Sequence, residues 1–114
     1  MLLEEERFIA ILDVMPLVIG HTLVIPKKEV DYIFDLDDET LAAMNLFAKK
    51  VAHALKKAVP CKRIGVAVIG LEVPHTHVHL VPMNSMSDIN FTKPKLNPSQ
   101  DELRIVADKI RAAF

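Results

Sequence analysis

Val73-Pro74-His75-Thr76-His77-Val78-His79-Leu80-Val81-Pro82 carries three of the chain's five histidines, at every second position. Side chains alternate faces along a β-strand. Read as a strand over residues 75–81, the stretch sets His75, His77 and His79 on one face and Thr76, Val78 and Leu80 on the other. The second face is apolar enough to lie under helices. Pro74 suits the first position of such a strand, and Pro82 its end. A row of imidazoles is costly to bury unless each ring finds a partner. A solvated strand face would more readily carry Thr, Lys, Glu and Ser. Clustered titratable groups point to a functional site, so the segment reads as a strand that carries reactive side chains.

Upstream, residues 64–69 are apolar on both faces and read as a central strand. Gly70 ends it, and residues 71–74 connect it to the histidines. Before it stands a clear helix over residues 37–59. Asp37 caps it, with Asp38 and Glu39 in the first turn, where the helix dipole is positive. Leu41, Met44, Ala48, Val51 and Leu55 repeat at alternating steps of three and four, giving one apolar stripe. Lys56 and Lys57 close it and Pro60 stops it. Residues 8–14 and 21–25 are apolar, β-compatible runs separated by Met15-Pro16 and Gly20. Downstream, a polar loop runs to Pro98. Ser99-Gln100-Asp101-Glu102 then forms a capping box, and Leu103, Val106, Ile110 and Phe114 stripe a C-terminal helix. The order β-β-α-β-β-α predicts one α+β domain over residues 1–114, with a mainly antiparallel sheet, one long central helix and a C-terminal helix.

The 114 residues are enough for a core without staples, and half of them are apolar. With 14 basic and 15 acidic residues the net charge is −1. That balance argues against a general grip on nucleic acid and against a lysine-rich membrane-surface helix. The single cysteine, Cys61, excludes an internal disulfide and suits a reducing compartment. The acidic start, Glu4-Glu5-Glu6, is unlike a signal peptide, and no apolar run approaches the ~20 residues that span a bilayer. The expectation is a soluble, cytoplasmic protein with no membrane contact.

Two chemistries could use the histidine row. Metal binding is the weaker. His75 and His79 stand roughly 13 Å apart at ~3.3 Å per residue, while zinc needs each nitrogen at about 2 Å. Two neighbours plus His21 could converge, but no cysteine or carboxylate ligand stands near them in sequence. No metal and no cofactor are expected. Nucleophilic and acid–base catalysis is the stronger. Imidazole is a good nucleophile at neutral pH, and a neighbouring ring can serve the departing group. The middle ring, His77, needs its far nitrogen held by an acceptor to fix its tautomer, and an adjacent backbone carbonyl would serve.

His75-Thr76-His77-Val78-His79-Leu80-Val81 resembles the signature of the histidine-triad (HIT) family, in which histidines alternate with hydrophobic residues. Ile11-Leu12-Asp13-Val14-Met15-Pro16 resembles the family's first nucleoside-contacting strand, and Gly20-His21-Thr22-Leu23-Val24-Ile25-Pro26-Lys27 its second signature segment. The similarity runs from about Phe8 to Pro82 and points toward the small bacterial, Hint-like nucleoside phosphoramidate hydrolases.

That resemblance implies a HIT-like fold and hydrolysis at the α-phosphorus of a purine nucleotide such as an adenosine phosphoramidate or an AMP-like compound. By it, His77 attacks phosphorus and forms a nucleotidyl-imidazole intermediate, and the His75 carbonyl holds its far nitrogen. His79 contacts phosphate and serves the leaving group, with His21 in support. Asp13 holds the ribose hydroxyls, Ile11 and Val14 line the base pocket, and Gly70 and Glu72 lie in the phosphate loop. A homodimer with strands paired across a two-fold axis is also implied. Dinucleotide hydrolysis, or nucleotide binding with weak catalysis, are the alternative readings.

Before the triad the sequence departs from the family. Leu71 takes the place of the usual Gln, and no Asn is present in residues 66–72. The family also begins further upstream, so a shortened N-terminus is expected. The tail after Pro82 lacks the tryptophan of some eukaryotic members.

Overall fold

A computed structural model describes the whole chain, Met1–Phe114. It has five strands and two α-helices: β1 (Leu3–Glu4), β2 (Phe8–Leu12), β3 (Thr22–Pro26), α1 (Asp38–Ala58), β4 (Arg63–Ala67), β5 (Val78–Met83) and α2 (Gln100–Ala112). The strands form one antiparallel sheet in the order β1-β2-β3-β5-β4. The α+β architecture with a mainly antiparallel sheet is as the sequence pattern requires. No helix is long and apolar enough to cross a membrane.

Helix α1 begins where its chemistry starts it. The Asp37 carboxylate accepts from the Thr40 N–H at 2.7 Å, and this bond holds the Asp37 carboxyl below its usual range. The stripe of Met44, Phe47, Ala48, Val51, Ala54 and Leu55 is buried. It packs on Phe8, Ala10 and Val24 of the first strands and on Val78 and Leu80 of β5, with Ala107 and Ile110 of α2 completing the core. The Ser99–Glu102 capping box is formed in both directions. Both helices therefore serve one face of the sheet and leave the other to the histidines.

Four expectations change. The sheet has five strands rather than four, because Leu3 and Glu4 pair with Ala10 and Ile9 as an edge. The strand read as central, β4, lies at the opposite edge with β5 as its one neighbour, and Val66 is 62% exposed. Apolarity on both faces reports a demand for cover, and cover need not come from strands on both sides. The triad strand starts at Val78, not His75. The Thr76 N–H and hydroxyl both bond the Val30 carbonyl, so main chain outside the sheet takes the place of a ladder partner there. Finally, Pro82 lies inside β5, opposite Ile64. The Met83 carbonyl accepts from Lys62 on the β4 side. By alternation, the missing Pro82 N–H faces β3, past the end of that ladder, where no bond is lost. Gly20, at φ +94°, approaches the Pro82 ring there, and its backbone angle suits glycine in the turn before β3.

Candidate active site

The face of β5 turned away from the helices opens into a cavity of about 410 Å³. His77 and His79 form one wall. Asp13 and Leu23 stand beside them, and Ile69 to Val73 close the side before the triad. Phe91 and Lys95, from the segment after β5, complete it. The ladder explains part of this arrangement. Leu23 lies opposite His79, and both alternate with core residues, so they share the free face.

Hydrogen bonds fix the tautomers of the rings at the site. The His77 Nδ1–H donates to the His75 carbonyl at 2.8 Å. A carbonyl only accepts, so Nδ1 carries the hydrogen and Nε2 keeps a lone pair. The Leu17 N–H donates to Nδ1 of His21 at 3.1 Å, which places the hydrogen of His21 on Nε2. That Nε2–H donates to Nδ1 of His79 at 2.9 Å. The hydrogen of His79 is therefore on Nε2. The rings of His77 and His79 lie 4.8 Å apart at 68°. A ring with a free nitrogen lone pair, His77, thus packs against a ring that carries an N–H donor, His79.

Both supporting rings are held neutral. Burial, chiefly, with the neighbouring rings of His21 and His77 acting the same way, lowers His79 to about 4. Burial also lowers His21, against the pull of Asp13. The hydrogen-bond pattern has room for one hydrogen between His21 and His79, which agrees with two neutral rings. Phe91 packs its ring 4.7 Å from His79 at 68° and shields it from water. The Asp13 Oδ1 accepts from the Met15 N–H at 2.9 Å, which orients the carboxylate and leaves Oδ2 for another partner.

The site residues named from sequence separate into three groups. His77, His79, Asp13, Gly70 and Glu72 line the cavity, and His21 stands behind His79. Gly70, at φ +75°, takes a backbone angle that other residues rarely adopt. His75 does not face the cavity with its ring, which donates to the Pro26 carbonyl at 2.7 Å; its contribution is the carbonyl. Ile11 and Val14 are not brought to the cavity. Ile11 pairs with Leu23, one strand further from His79, and Val14 lies beyond β2; both line a separate groove beside α2. Sequence reading missed Leu23, Phe91 and Lys95. A lone aromatic residue in a polar loop was the available signal for Phe91.

The carboxylate of Asp13 and ring nitrogens of His21 and His79 lie within 4.8 Å of one another, a spacing that could suit a metal. An ion there would have to replace the hydrogen between the two rings. Leu17 already donates to the other nitrogen of His21, so that ring could yield its hydrogen only as an anion or by losing the Leu17 bond. The cluster fits a hydrogen-bonded relay better than an ion.

Residues 1–86 match the HIT domain family model. A HIT-like protein of Borreliella burgdorferi is 30% identical over 115 residues, covering 94% of this chain and 83% of its own length. A 16.1 kDa HIT-like protein of Mycoplasma pneumoniae is 40% identical over 84 residues, but these cover 69% of this chain and 58% of that relative. Among solved structures, a Hit-like protein involved in cell-cycle regulation from Bartonella henselae superposes with a TM-score of 0.83 at 32% identity, over 99% of this chain and 84% of that one. A hypothetical histidine triad nucleotide-binding protein from Sulfolobus tokodaii gives 0.82 at 30% identity, over 98% and 80%.

Proposed function

The chain belongs to the HIT domain family, a superfamily of nucleotide-binding hydrolases and transferases, and we propose that it is a metal-independent hydrolase that splits purine nucleoside phosphoramidates at the α-phosphorus through His77. The observation that carries this reading is the pair of tautomers. His77 is locked with a free lone pair on Nε2, and His79 is locked with a hydrogen on Nε2 beside it. One ring is prepared to attack and its neighbour to donate, with no proton transfer needed beforehand.

In the first step Nε2 of His77 bonds to phosphorus and the P–N bond to the amine breaks. The departing nitrogen accepts a hydrogen bond from the Nε2–H of His79 and takes its proton from solvent, so the amine leaves neutral. The nucleotidyl-imidazole is cationic, and its Nδ1–H keeps the bond to the His75 carbonyl. In the second step water attacks phosphorus, the bond to His77 breaks, and the water's proton goes to solvent. Asp13 Oδ2 would accept from ribose hydroxyls. The Gly70 main chain can approach a phosphate closely. The base would extend over Leu23.

Two further parts belong to this reading. The β4 edge, with exposed Val66, has unpaired main chain along one side and suits pairing with a second copy across a two-fold axis. A cytoplasmic setting agrees with Cys61 as a free thiol. A second reading, a nucleotide-binding module with weak catalysis, draws on the Ile69–Val73 wall, which offers the cavity apolar side chains and the Glu72 carboxylate and no cation for a phosphate.

Turnover of an adenosine phosphoramidate in chelator, with wild type and His77→Ala side by side, tests the proposal. Turnover confined to the wild type supports it. Equal turnover in both sinks His77 as nucleophile. AMP binding with no turnover in either favours the binding module.

A further inference from the structure

If the cavity takes a phosphoryl anion, as the reading above holds, something in its walls must offset that charge. The wall before the triad supplies none, since its one charged side chain is Glu72. Asp13 adds a second carboxylate. His79 and His21 are neutral by their hydrogen bonds. Lys95 is the one lysine or arginine in the lining, and none of the six ion pairs of the chain engages it.

The segment that carries Lys95 is fixed on both sides of it. A 3-10 turn at Met86–Ile89 is closed by a capping box between Ser85 and Asp88. Phe91 lies against His79. The Leu96 N–H, next to Lys95, donates to the Pro16 carbonyl at 2.9 Å. Pro16 precedes Leu17, whose own N–H orients His21. The tether thus ties Lys95 to the turn that holds Asp13 and the relay. Its charge reaches both rings and disfavours a proton on each.

We propose that Lys95 is the phosphate-binding cation of this site, so that the segment after β5, and not the loop before the triad, neutralises the phosphoryl group of a nucleoside monophosphate ester or amide. An ammonium is a compact point charge on a flexible stem, suited to a phosphoryl oxygen. Beside apolar walls its attraction is screened less than in open water. The site then separates a phosphorylated nucleoside from the bare nucleoside through one side chain.

The test compares AMP with adenosine by calorimetry, and follows adenosine phosphoramidate turnover, in wild type, Lys95→Met, Lys95→Arg and Lys93→Met. Lys93 sits on the same segment outside the cavity lining and serves as the control. In Lys95→Met the AMP affinity and kcat/KM fall roughly tenfold, the scale of one charge-assisted hydrogen bond. Adenosine binding stays as in wild type, Lys95→Arg recovers most of the loss, and Lys93→Met changes nothing. The His79 ring, followed by NMR, titrates at higher pH in Lys95→Met because a repelling charge has gone. Unchanged AMP binding in Lys95→Met overturns the assignment, as does a wild type that binds AMP no tighter than adenosine. A wild type that prefers AMP through Lys95, yet turns over equally with His77→Ala, leaves Lys95 in place and removes the reaction assigned to His77.

Discussion

The two faces of β5 are built from neighbouring residues and obey opposite rules. Val78 and Leu80 lie in the core against α1, where any apolar side chain of similar volume would serve. His79, on the other face, and His77, just before the strand, turn toward the cavity, where each nitrogen has its own hydrogen-bond role. The first face is specified by volume, the second by where hydrogens sit. Substitution on the first should cost stability and spare chemistry, and substitution on the second should do the reverse.

The largest expected effect is on the second face. His77→Ala should lower turnover by on the order of 10³-fold or more, as for loss of a covalent nucleophile. Because His77 is outside the core cluster, the melting temperature should stay close to wild type. A large fall in melting temperature would break the comparison. Leu80→Ala is the mirror experiment. Leu80 is 1% exposed, and its truncation should cost about 2–5 kcal/mol in chemical denaturation. The kcat per folded molecule should hold, since Leu80 touches the opposite side of the strand.

pH links the two faces. Burial holds His79 at about 4, whereas an unfolded histidine titrates near ~6.5. Between those values the unfolded chain binds a proton that the native ring refuses. Stability is therefore full above about pH 6.5 and is lost as pH falls toward about 4. The loss should be on the order of 2–3 kcal/mol, and His79→Gln should flatten it. A denaturation series from pH 7 to 4 gives the slope, and an equally steep slope in the variant would place its origin elsewhere. The smallest effect is remote from both faces. Asp37→Ala removes the α1 cap and should cost about 1 kcal/mol, with turnover unchanged.

What could be read from sequence follows the same division. Helix α1 was legible because its signals are local: the Asp37 cap, the stripe and Pro60. The α2 capping box was legible for the same reason. The need of the His77 ring for an adjacent carbonyl was legible too, while His75 as its source came from the family resemblance. The start of β5 was not, because the partners of Thr76 and His75 are Val30 and Pro26, far away in the chain. Nothing in the alternation of residues 75–81 announces that a carbonyl of β3 will turn the His75 ring out of the row. The edge position of β4 escaped because an apolar strand does not state what covers it. Phe91 and Lys95 escaped because they lie on irregular chain, placed by the Leu96–Pro16 bond.

The hydrogen from Leu17 to His21 comes from main chain. The polarity of the whole relay, from His21 through His79 to the cavity, is therefore written in the path of a turn and not in any side chain. Drift at position 17 would leave it intact, with proline as the single residue that erases it by lacking the N–H. The direction of these hydrogen bonds would thus be heritable as a shape, and would persist in a lineage whose sequence around that turn had changed almost completely.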